Sequence, residues 1–78
     1  MSKLTKIISQ VLEIKSGKIN DATSPMNVKG WDSFAGVLLI TEIEKAFRTK
    51  FTMDEILSVK DVGGIKRVLK ERGLDPDE

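Results

Sequence analysis

The chain has no cysteine, no histidine and no tyrosine. Without cysteine there is no disulfide, no thiolate zinc site and no cysteine nucleophile. Without histidine, the commonest general base and the usual metal ligand are both missing. Carboxylates and lysines remain, but 78 residues so equipped make a poor candidate for an enzyme. Any chemistry involving this chain is expected to be supplied by a partner. The formal net charge is only +1. That balance gives no electrostatic case for nucleic acid or an anionic membrane. No apolar run approaches the roughly 20 residues of a membrane span, and the first residues lack a signal-peptide pattern. The expected location is the cytoplasm.

What is present is helical periodicity. Forty per cent of the residues are hydrophobic, enough for one small domain over residues 1–78, close to the lower size limit for an unstapled core. Leu4, Ile7, Ile8, Val11 and Leu12 recur at i, i+3, i+4, i+7 and i+8, one face of an amphipathic helix. Ser2 is placed to cap its start, and Gly17 to mark its end. Residues 17–32 have no period and hold Gly17, Asn20, Asp21, Ser24, Pro25, Asn27 and Gly30. A loop of this length in a small domain usually serves a function. It reads as a long connection pinned to its neighbours by Ile19, Met26 and Val28.

The second helix is expected from about Ser33 to Arg48. Leu39, Ile40, Ile43, Ala46 and Phe47 form one stripe. Phe34, Val37 and Leu38 form another on nearly the opposite side, at about 100° per residue. A helix apolar on two faces needs the core on one side and something else on the other. A third helix is expected to cover part of the second stripe, and a docking partner the remainder. Thr52-Met53-Asp54-Glu55 fits a capping box opening a short helix to about Leu57. Ser58 then caps a last helix presenting Val62, Ile65, Val68 and Leu69, with Asp61 complementing its N-terminus. Gly73 stops that helix, and residues 74–78 are expected to fray. Gly63-Gly64 marks either close packing or a gap through which a bound chain passes. The fold class is all-α: a small four-helix bundle with three long helices, one short helix before the last, and a long first loop.

Trp31-Asp32-Ser33-Phe34 stands where that loop meets the second helix. A serine there is a hydroxyl at the positive end of a helix, among backbone N–H groups without partners. A phosphodiester on Ser33 would be well placed; Asp-Ser is equally an ordinary helix cap.

The helix layout, the long first loop and Asp-Ser opening helix two together resemble the acyl carrier protein family over about residues 3–72. Phe34 replaces the family's usual leucine after Asp-Ser. Trp31 before that pair is similar to stand-alone carriers of specialised pathways. The resemblance implies that Ser33 is the attachment point for 4′-phosphopantetheine, transferred from coenzyme A by a phosphopantetheinyl transferase. It implies acyl or aminoacyl cargo carried as thioesters on an arm that brings its own sulfur. The implied partners are an acyl- or aminoacyl-loading ligase and enzymes of the ketosynthase or acyltransferase type, with the carrier itself a monomer that makes no bonds.

By the same resemblance, Asp32 orients the transferase complex, in part through its magnesium, or simply caps the helix. Phe34, Val37 and Leu38 form a docking surface unless the third helix buries them, an outcome expected chiefly for Val37. Trp31 is a lid over the loop or an interface residue. Met53, Ile56, Leu57, Val62 and Ile65 line the side of a cargo cleft, with core packing the ordinary alternative. Housekeeping fatty-acid carriers present a run of carboxylates along helix two. Here only Glu42 and Glu44 follow Asp32, and Lys45, Arg48 and Lys50 come next. Weaker electrostatic steering and more apolar recognition follow, which points to a dedicated polyketide, peptide or modified-lipid pathway. A peptidyl or aminoacyl carrier fits the same residues. So does an unmodified helical interaction domain, whose second stripe fills a partner's groove.

Overall fold

Four α-helices carry the chain, and their ends are set by identifiable side chains. The computed structural model describes residues 2–76, with α1 at Lys3–Leu12, α2 at Ser33–Phe47, α3 at Met53–Ser58 and α4 at Val62–Glu71. There is no strand among the described residues. Ser2 caps α1, its hydroxyl accepting from the Thr5 N–H at 3.0 Å. The end of α1 is a correction. It stops at Glu13, in the left-handed region at φ 54°, rather than at Gly17. The Ile14 N–H folds back to the Ser9 carbonyl at 3.2 Å, and the Ser9 hydroxyl donates to the Ile14 carbonyl at 2.6 Å. This wrap seats Ile14 against the core, so burial of one side chain outweighs the cost of a non-glycine left-handed residue. Gly17 lies instead in a short 3-10 turn, Ser16–Lys18. Arg48 ends α2 by the same left-handed device, at φ 53°.

The core is built from one face of each long helix. Leu4, Ile8 and Leu12 of α1 meet Leu39, Ile40, Ile43 and Phe47 of α2, with Val62, Ile65, Val68 and Leu69 from α4. The α2 stripe read from the sequence is therefore the buried one, with Ala46 only half-buried.

In the long connection, Ile19 and Val28 pack against this core, whereas Met26 is 97% exposed and pins nothing. The loop is held chiefly by hydrogen bonds to the start of α4. The Val62 N–H donates to the Thr23 carbonyl at 3.0 Å, and the Gly63 N–H to the Asp21 carbonyl at 2.9 Å. A Cβ on Gly63 would lie 3.2 Å from that Asp21 carbonyl. The glycine pair thus marks close packing, and the gap is filled by the loop. Lys66 pairs with the Asp21 carboxylate at 2.8 Å, and this lysine holds the Asp21 carboxyl below its ordinary range.

Asp61, not Ser58, caps α4, accepting from the Gly64 N–H at 2.8 Å. Ser58 is the last residue of α3, where its hydroxyl donates to the Glu55 carbonyl. Gly73 ends the last helix at φ 78° as expected. The tail does not fray at once: Leu74 packs on the core and Pro76 is fully buried. The remainder of the expected frayed segment, Asp77 and Glu78, lies outside the described residues.

The capping box at Thr52 is complete. Glu55 donates its N–H to the Thr52 hydroxyl and accepts the Thr52 N–H on its carboxylate, which also pairs with Arg72 of the α4 end. The Thr52 N–H first, and Arg72 second, hold the Glu55 carboxyl below the usual glutamate range. A folded-state value below the unfolded one stabilises the fold above that range, and the contribution is lost as the pH falls through it. Glu55→Gln is expected to lower the melting temperature by a few degrees at neutral pH. The difference from the parent should shrink as acid is added below the glutamate range, as followed by circular dichroism.

Candidate phosphopantetheine site

Ser33 is the first residue of α2, and Asp32 before it is the cap. The Asp32 carboxylate accepts from the Ala35 N–H at 2.9 Å, and its backbone carbonyl accepts from Gly36 at 2.8 Å. Two of the first-turn N–H groups are thereby satisfied. Those of Ser33 and Phe34 have no partner among the described residues, and neither has the Ser33 hydroxyl. Ser33 is exposed. The site therefore presents an unengaged nucleophilic oxygen at the positive end of a 15-residue helix, where negative charge is favoured.

A hollow of about 310 Å³ opens beside that oxygen. Its lining is almost wholly apolar: Pro25 and Trp31 from the loop, Gly36, Val37, Leu39 and Ile40 from α2, and Ile56, Leu57 and Val59 around α3. A shallower extension reaches Asp32. Two other hollows, each of about 450 Å³, lie within the long connection after α1 and between α1 and α2. Neither touches Ser33. The smaller hollow is the relevant one, because only an apolar space adjoining the hydroxyl can receive a group tethered there.

The residues expected around the site do not all gather there. Ile56 and Leu57 do line the hollow. Val62 and Ile65 do not: both are fully buried in the core behind it, packed by their helical spacing toward α1 and α2. Met53 is exposed at the start of α3 and outside the lining. Phe34, Val37 and Leu38 stand at 78, 66 and 42% exposure, so no third helix covers the second stripe. The expected burial of Val37 is corrected, since the six-residue α3 leaves that face open. Trp31 is only 7% exposed. It forms a wall of the hollow rather than an outward docking residue, because its ring packs toward the bare backbone of Gly36. The sequence reading missed Pro25, Gly36, Leu39, Ile40 and Val59. Gly36 was the available signal, as a lone glycine in an apolar helix leaves room for a large neighbour.

The site suits a phosphorylated tether on three counts: a free hydroxyl, unpaired helix amides for the anion, and an apolar recess for what the tether carries. Such a helical module offers a point of attachment. The phosphopantetheine attachment site family model matches residues 2–69, most of the chain, and the protein belongs to that family. Its members carry covalently attached 4′-phosphopantetheine. No curated protein matches the chain. No described helix is long and apolar enough to cross a membrane.

Proposed function

We propose that this chain is an acyl carrier protein whose 4′-phosphopantetheine is attached to Ser33. The observation that carries the assignment is the exposed, unengaged Ser33 hydroxyl at the start of α2, beside an apolar hollow. A phosphopantetheinyl transferase would join the arm from coenzyme A as a phosphodiester, and the arm would supply the thiol on which acyl groups ride as thioesters. The chain's own residues bind and present. Asp32 fixes the helix start, so that Ser33 faces outward. The N–H groups of Ser33 and Phe34 face the phosphodiester, and the hollow shelters the cargo. Catalysis belongs to the partners: the transferase, a loading ligase, and enzymes of ketosynthase or acyltransferase type. The carrier acts in the cytoplasm as a monomer.

Incubation with coenzyme A and a broad-specificity transferase should raise the intact mass by one phosphopantetheine, located on Ser33 by fragmentation. An unchanged mass with every transferase tried, or a group found elsewhere, would sink the assignment.

Phe34, Val37 and Leu38 form the docking face in this reading. With few carboxylates on α2, apolar contact supplies most of the recognition, which favours a dedicated lipid or polyketide-type pathway. Leu38→Glu should weaken binding to a cognate partner at least tenfold, about 1.4 kcal/mol, while melting within a few degrees of the parent. A large loss of thermal stability would mark Leu38 as a core residue instead. An aminoacyl cargo loaded by an adenylating enzyme would use the same hydroxyl and the same recess.

A further inference from the structure

Among the side chains that line the hollow beside Ser33, the only other one with a polar atom is that of Trp31, through its indole N–H. Its ring is more than nine-tenths buried, yet no hydrogen bond engages Nε1 among the described residues. No fully buried polar side-chain atom among the described residues lacks a partner, so the unpartnered Nε1 keeps some accessible surface, and its residue lines the hollow. Gly36 explains why it can. This residue lines the same space, and a Cβ built on it would lie 3.5 Å from Nε1. The glycine leaves the donor uncovered. The side chains of Pro25, Leu39, Ile40 and Val59, which line the same hollow, offer it no acceptor. A donor in such a setting is costly to leave unpaired when water is displaced, since its desolvation is then uncompensated.

The geometry points to Trp31 as a hydrogen-bond anchor: its indole N–H donates to a carbonyl oxygen that enters the hollow on the tether. That carbonyl belongs either to an amide of the arm or to the cargo, in its thioester or an oxo group beyond it. Where the acceptor is the cargo's, the recess favours an apolar group bearing an acceptor near its mouth over a plain saturated chain; where it is the arm's, the bond seats the arm whatever it carries. This rests on the attachment of the arm to Ser33 proposed above.

Three forms of the nitrogen-15-labelled protein test it: the bare arm, the arm bearing a butyryl thioester, and the arm bearing a butyl thioether of similar bulk. Mass spectrometry first confirms that each is loaded at Ser33. Trp31 is the sole tryptophan, so one indole cross-peak reports. A hydrogen bond should move its proton downfield and slow its exchange with water by roughly fivefold, as a net bond of about 1 kcal/mol implies. Movement already present with the bare arm assigns the acceptor to an arm amide. Movement in the thioester form alone assigns it to the cargo; both results support the inference. A proton that stays at its unmodified position in all three loaded forms overturns it and leaves the Ser33 assignment standing. So does movement first seen on loading and equal in the thioester and thioether forms, since bulk alone would then account for it. Failure to load at Ser33 overturns both.

Discussion

Ser33→Ala is expected to take up no phosphopantetheine at all, with a melting temperature within a few degrees of the parent. The two halves of this expectation have separate origins. The hydroxyl is the only atom removed, and it makes no hydrogen bond among the described residues, so the fold loses nothing it was using. The cap function resides next door, on Asp32, whose carboxylate holds the Ala35 N–H. Alanine is also a good first-turn residue. Modification, by contrast, needs the oxygen itself, because on the proposed assignment the phosphodiester would form on it. Intact mass after incubation with coenzyme A and transferase reads the first half; thermal unfolding by circular dichroism reads the second. A variant that still gains the full mass would move the attachment point to another residue. A variant that unfolds would show that Ser33 is structural.

Ile65→Ala carries the largest expected loss of stability. Ile65 is fully buried on α4 among core residues from the other long helices. Truncating such a side chain removes its transfer free energy and leaves a cavity, together roughly 2–5 kcal/mol. A domain of this size has a total of roughly 4–12 kcal/mol to lose, so the melting temperature should fall by roughly 8–40 °C. Leu57→Ala, at an exposed rim of the hollow, should shift it by no more than a few degrees. The comparison separates core from cleft: equal, small losses at both positions would return Ile65 to the lining of the recess.

The sequence reading succeeded where one local signal had no competitor. The periodic apolar faces, the Thr52 capping box and the Asp-Ser helix start are all of this kind, and each stands where periodicity and capping chemistry put it. It failed where tertiary contact chose between acceptable local options. Glu13 adopts a left-handed conformation because Ile14 has a core to reach, although Gly17 looked the better terminator. Asp61 displaced Ser58 as the α4 cap, since the loop carbonyls of Asp21 and Thr23 take the next two N–H groups and fix where the helix begins. Val62 and Ile65 share a helix face with true core residues, and spacing alone could not tell which of them reached the recess. The second stripe of α2 was legible as surplus apolar surface; that it stays uncovered depends on the shortness of α3.

Trp31 has one more consequence, which follows from what the chain lacks. With a single tryptophan and no tyrosine, the near-ultraviolet emission of this molecule comes essentially from one ring in the recess wall. Arrival or departure of the proposed passenger should alter the polarity around that ring, and hence its colour and brightness. The protein carries its own optical gauge of occupancy, and no dye need be attached to read it.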